Sequence, residues 1–163
     1  MPQEFGRYVK AVMERATDEA QETGSATVEA EHVLLAIAAE PESGIRDLLT
    51  SAGLDQQRIR DALDEEFRRS LVAAGVVVEG RELPRPRRSA KRPSRMGASV
   101  KLILERGVVT ATNKRSLRPA HVLLGVLQLN VGTVPRALAL TGADLDELTA
   151  RVRRSLSDET EKR

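Results

Sequence analysis

The sequence predicts an all-α protein built as two pseudo-symmetric four-helix repeats that together form one eight-helix domain. Three observations carry this. The stretch Ala30-Glu31-His32-Val33-Leu34-Leu35-Ala36-Ile37 returns as Pro119-Ala120-His121-Val122-Leu123-Leu124-Gly125-Val126, 89 positions later. The same shift superposes Leu49 on Leu138, Gly53 on Gly142 and Asp55 on Asp144 without a gap, so the repeating unit spans several helices. Finally, the 40% hydrophobic content comes from Leu, Val, Ala and Ile, with only Phe5, Tyr8 and Phe67 as aromatics. That supply suits packed helices better than a sandwich or a base-stacking surface.

Taken in order, Phe5, Tyr8, Val9, Val12, Met13, Ala16 and Ala20 recur at three- and four-residue steps, which predicts a helix over 3–22. Gly24 ends it. Thr27 offers an N-cap to a second helix over 28–39, whose early carboxylates favour the helix dipole. Val33, Leu34, Leu35 and Ile37 make that helix apolar nearly all round, so it is expected in the centre of its half. A third helix follows over 45–51, and Gly53 stands where a left-handed cap is needed. Asp55 caps a fourth, with an expected buried stripe of Ile59, Leu63, Phe67 and Leu71.

The second half replays this order. Val100, Leu102, Ile103, Leu104, Val108 and Val109 form the counterpart of the first helix, and a break at 114–116 precedes a buried helix over 117–129. Pro119 is tolerated in its first turn. Thr133 is expected to cap the next helix, and Leu145, Leu148, Val152 and Leu156 give the last stripe. The expected layout is a domain over 3–157, with repeat one at 3–74, a basic linker at 80–95, repeat two at 96–157, and a fraying tail at 158–163.

That linker, from Gly80 to Arg95, is the charge anomaly of a chain with net charge +2. Rich in Pro and Arg, it reads as an extended, solvated connector unable to order itself. Arg85, Arg87, Arg88, Lys91 and Arg92 are its candidate contacts for phosphate or an acidic protein. No aromatic accompanies them to stack on bases, so the connector reading outweighs nucleic acid. Val76-Val77-Val78 upstream fits either a short strand or an apolar plug.

The chain has no cysteine, hence neither disulfides nor a thiolate zinc site. No run approaches the about 18 apolar residues of a membrane span, and the N-terminus lacks a secretory pattern. A cytoplasmic setting without membrane contact is expected. His32 and His121 are the only histidines; both fall at helix starts, where local hydrogen bonds satisfy them, leaving no base for a hydrolytic triad and too few ligands for a metal. No enzyme, metal or cofactor is expected.

These residues carry a resemblance. Two four-helix units, each with a Glu-His-Val-Leu-Leu-like start to its buried helix and each ending its third helix on Gly-x-Asp, resemble the N-terminal domain of the Clp chaperones. There the motif reads Thr-Glu-His-(Ile/Leu)-Leu-Leu-Gly-Leu, and the first-helix phenylalanine precedes the histidine by 27 residues, as Phe5 precedes His32. The resemblance covers 3–157. Relatives place this domain ahead of AAA+ modules, but no phosphate-binding loop occurs here, since Gly97 to Lys101 lacks the second glycine and the hydroxyl residue. The chain is therefore similar to a free-standing, ClpC-like N-domain.

The resemblance implies a protein-interaction module of Clp-dependent proteolysis. It would bind protein substrates, adaptors or components of a Clp ATPase or protease, as a monomer or weak oligomer. In ClpC domains it also implies phosphoarginine recognition, by the motif glutamate and a threonine near the start of each half's first helix. Carried over by position, Glu31 matches the first glutamate, Ala120 replaces the second, Gly6 replaces the first threonine and Arg95 stands at the second. A degraded phosphoarginine site is expected. The pocket that takes cyclic-peptide antibiotics in relatives has Pro2 and Ser94 near its aromatic positions. The alternative reading is a nucleic-acid-associated regulator using residues 81–95.

Overall fold

The computed structural model describes residues 2–41, 44–77 and 86–161, with side chains described through 158. The first helix, α1 (Gln3–Glu22), buries Phe5, Tyr8, Val12, Ala16 and Ala20 along one stripe. Residues Thr27–Val28 then form a two-residue strand, β1, and the central helix α2 (Ala30–Ala39) starts after it. This corrects the expected start at 28. Thr27 does not cap α2, because its backbone is held in a parallel pair with β2 (Arg95–Met96). The cap is Glu29, whose backbone carbonyl takes the His32 N–H at 3.1 Å while the His32 ring accepts from the Glu29 N–H at 2.9 Å. His32 thus fills the place that Glu or Gln takes in a capping box.

Helix α3 (Ile45–Ser51) ends as expected, with Gly53 at φ +77 and the Leu54 N–H bonded to the Leu49 carbonyl at 2.9 Å. Asp55 caps α4 (Gln56–Ala73) by accepting the Arg58 N–H at 2.7 Å. The expected stripe on α4 needs correction. Ile59 is buried, but so are Ala62 and Glu66, whereas Phe67 is 54% exposed. The helix is rotated so that the 59-62-66 row faces inward, and Arg136 neutralises the carboxylate there, 2.8 Å from Nε to Oε1. Val76 and Val77 are exposed outside any strand, and Val78 lies outside the described residues.

The second half gives α5 (Ala98–Val109), a 3-10 turn at Lys114–Ser116, α6 (Pro119–Leu127), α7 (Thr133–Leu140) and α8 (Leu145–Glu161). Helix α6 is shorter than its expected span at both ends. Gly132, not Thr133, is the N-cap of α7, and Thr133 is already helical. Helix α8 continues through Glu161, past the start of the expected fraying, and residues 162–163 lie outside the description.

Helices α1 and α5 flank their central partners α2 and α6, which touch each other in the middle. The fourth helix of each half reaches across, α4 onto α7 and α8 onto α3. The halves therefore share one core, with Leu34, Ile37, Ile59, Ile103, Leu123 and Leu148 inside it. Glu66 and Arg136 sit on the α4–α7 crossing, and Ser70 also donates to Glu66 at 2.7 Å. Burial alone would raise the Glu66 pKa, but the bonds from Ser70 and Arg136 outweigh it and hold the carboxyl below its ordinary value. Arg136→Ala should therefore destabilise the domain by about 1–2 kcal/mol, discounted because the Arg136 side chain is 58% exposed. Urea titration at neutral pH checks this, with Glu66→Gln/Arg136→Ala expected to lose less than the two single changes summed.

Candidate functional site

Glu31 lies in the first turn of α2, half-buried, with no ion pair or side-chain hydrogen bond among the described residues. Its neighbours are occupied. The Glu29 carboxylate accepts from Thr27 Oγ1 at 2.9 Å and from Ser99 Oγ, while Ser99 Oγ accepts the Ala30 N–H at 2.9 Å. These bonds clamp the start of α2 to the start of α5. The free carboxylate of Glu31 at a helix N-terminus is available to a cation, so dipole stabilisation does not exhaust its chemistry.

His32 is committed to structure. Its Nδ1 accepts the Glu29 N–H, which leaves the proton on Nε2, 3.2 Å from Thr23 Oγ1. Burial lowers its pKa, with Glu31, Glu29 and Glu19 pulling the other way. The unfolded chain therefore takes up a proton before the folded one. His32 contributes stability that is present above its unfolded pKa of about 6.5 and lost as pH falls through its depressed folded value. The melting temperature should drop between about pH 7 and about pH 5, and His32→Asn should flatten that slope. His121 makes the same backbone bond, accepting the Arg118 N–H at 2.9 Å.

The four positions carried over from the resemblance fall at two ends of the molecule. Helix α1 runs antiparallel to α2, with Thr23 at His32 and Arg15 bridging Glu40 at 2.9 Å. Gly6 is thus about 25 Å along α1 from the Glu31 end, at 1.5 Å per residue. Arg95 is the nearer one, since its strand partner Thr27 leads into the first turn of α2. At the other end, Ala120 is buried and lines a cavity of 260 Å³ with Glu4 of α1 and Arg118. Each motif thus faces the first helix of the opposite half. One end offers a carboxylate and a guanidinium; the other has Ala120 and Gly6 in place of carboxylate and hydroxyl.

The basic linker also differs from its expected behaviour. Arg88 is paired with Glu22, and Arg92 with Asp18 at 2.6 Å; Ser89 exchanges hydrogen bonds with Gln21 through its backbone, at 2.8 and 3.0 Å. The segment 86–96 is laid along the C-terminal half of α1 and ends in β2. Two of the five candidate phosphate contacts are thereby neutralised within the chain. Arg87 and Lys91 hold no ion pair among the described residues, and Arg85 lies outside them. The sequence pattern could not reveal this, because the acids that order the linker, Asp18 and Glu22, lie about 70 residues earlier on the outer face of α1.

Among the described residues there is no cluster of three His, Asp or Glu able to hold a metal, and no helix is long and apolar enough to cross a membrane. A family model described as the Clp repeat (R) N-terminal domain matches residues 4–92. Among solved structures the chain is similar to the N-terminal domain of the caseinolytic protease associated chaperone ClpD from Arabidopsis thaliana. The TM-score is 0.64 at 21% identity, covering 94% of this chain and 98% of that one, a likeness of fold. A search of curated proteins finds no match.

Proposed function

As the chain belongs to the Clp repeat N-terminal domain family, we propose that it is a non-enzymatic interaction module of the Clp proteolysis system. It binds protein substrates, adaptors or Clp ligands, and it competes with or assists the N-domain of a Clp ATPase. The observation that supports this best is the Clp N-domain fold across nearly the whole chain, with the half-buried motif carboxylate of Glu31 unpartnered among the described residues. The nucleic-acid alternative is weakened by the intramolecular pairing of Arg88 and Arg92.

Affinity purification with and without nuclease separates the two readings. Clp ATPase or protease subunits should co-purify in both conditions. Recovery of nucleic acid alone, lost on raising salt, would overturn the proposal. Within it, the Glu31 and Arg95 end would bind phosphoarginine weakly, the carboxylate holding the guanidinium and Arg95 the phosphoryl group. Glu31→Ala should weaken binding of the free phospho-amino acid by about tenfold or more, the worth of one charge-assisted bond. Calorimetric titration of both proteins reads this, and equal affinity removes Glu31 from the site.

A further inference from the structure

A cleft of 570 Å³ lies where the end of α5 and the 3-10 turn meet the start of α6 and the end of α8. Three guanidinium groups line it, Arg115, Arg118 and Arg153, together with Thr110, Asn113 and Ser116; no carboxylate lines it among the described residues. Arg115 and Arg153 are exposed and make no ion pair among those residues, while Arg118 Nη1 donates to the carbonyls of Arg115 and Leu117. A cavity with this lining favours an anion.

The pseudo-symmetry says what form that anion takes. Shifted back by 89 positions, Ser116-Leu117 fall on Thr27-Val28 of β1, and Thr110 falls on Gln21. In the first half that place is filled by the chain's own extended segment: Ser89 bonds to Gln21, and Arg95–Met96 pair with Thr27–Val28. The segment is basic, and the acids Asp18 and Glu22 receive it. In the second half Leu117 is extended too, at φ −61 and ψ 130, and among the described residues no strand pairs with it. The receiving acids are missing here, Asp18 and Glu22 corresponding to the uncharged Gly107 and Ala111, while two other acids of the first half, Glu29 and Asp64, correspond to Arg118 and Arg153.

We propose that the cleft at Arg115 and Arg153 is a docking site for an extended, carboxylate-rich peptide segment of a partner protein. It is seated there as residues 87–96 are seated on the first half, with arginines of the 3-10 turn and α8 as the receiving charges in place of the acids of α1. The guanidinium forks match carboxylates in pairs, and an already extended backbone loses little entropy on binding. The site shares no residue with Glu31 or Arg95, and its test contains no Clp component, so it stands or falls apart from the preceding reading.

The probe is a fluorescein-labelled peptide of about ten residues alternating Ser and Glu, followed by anisotropy in about 50 mM salt. It should bind the intact chain, whereas the Ser-Gln and Ser-Lys versions should not. The double variant Arg115→Glu/Arg153→Glu should weaken binding by about tenfold or more, and Arg87→Glu/Lys91→Glu should leave it within about twofold. Both cleft arginines are exposed, so folding should survive; the milder pair Arg115→Gln/Arg153→Gln gives a second reading if it does not. The proposal is overturned if the Glu peptide does not bind, or binds the arginine variants equally. Tighter, arginine-dependent binding of a single-stranded oligonucleotide of matched charge would also overturn it.

Discussion

Replacing Gly125 by Ala is expected to destabilise the domain by about 3 kcal/mol, at the upper end of what overpacking a core costs. A Cβ there would stand 2.1 Å from the Ile103 carbonyl oxygen and 3.2 Å from the Gly107 nitrogen. Those atoms belong to the backbone of α5, so no side chain can turn aside to make room. The two helices would have to separate along their whole contact. The close approach is mutual, since a Cβ on Gly107 would come within 2.5 Å of the His121 carbonyl oxygen. The corresponding position in the first half is Ala36, fully buried, where α1 and α2 accept the methyl group. Ala36→Gly is therefore the control, with an expected loss of about 1 kcal/mol from helix propensity. Urea unfolding of the three proteins decides it, and a Gly125→Ala change under about 0.5 kcal/mol would show that the helices separate freely.

Leu34→Ala should cost about 3–4 kcal/mol, through lost burial plus the cavity left in a close-packed interior. Leu34 is 1% exposed on the central helix of the first half, yet the damage should not stay there. Helix α2 touches α6 and α7 as well as α1, α3 and α4, so the cavity lies in a core common to both halves. Unfolding should remain one transition, with calorimetric and van't Hoff enthalpies equal in wild type and variant. Two separated transitions, only the lower of which moves in Leu34→Ala, would show that the repeats unfold as independent domains.

The features legible in the sequence were those whose cause is local. The bounds of α3, the positive φ at Gly53 and the Asp55 cap follow from residues within one turn of each other. The buried character of α2 and α6 follows from runs that are apolar on every face. The misreading of α4 has an equally physical origin. A hydrophobic period assigns Glu66 to solvent and Phe67 to the core, and the partner that reverses this, Arg136, lies 70 residues away on α7. The linker misled for the same reason, two of its arginines, Arg88 and Arg92, being balanced by acids on α1. At the candidate site, the surviving Glu31 and the lost second glutamate at Ala120 could be read directly. That Glu31 lies near Arg95 and far from Gly6 could not, because each motif faces the opposite half.

The sequence by itself determined that this protein is a duplicated all-α domain, since helical period, caps and an ungapped 89-residue repeat act within or between short stretches. Only the tertiary structure decided how the two copies divide their work. Crossing α4 onto α7 and α8 onto α3 makes a single core. Docking the basic segment on the first half neutralises two of its arginines, while among the described residues no strand pairs with the corresponding stretch of the second half and no carboxylate lines its cleft. The physical reason is that charge and burial are settled by what lies across a contact, and for these residues that is a segment of chain about 70 positions away.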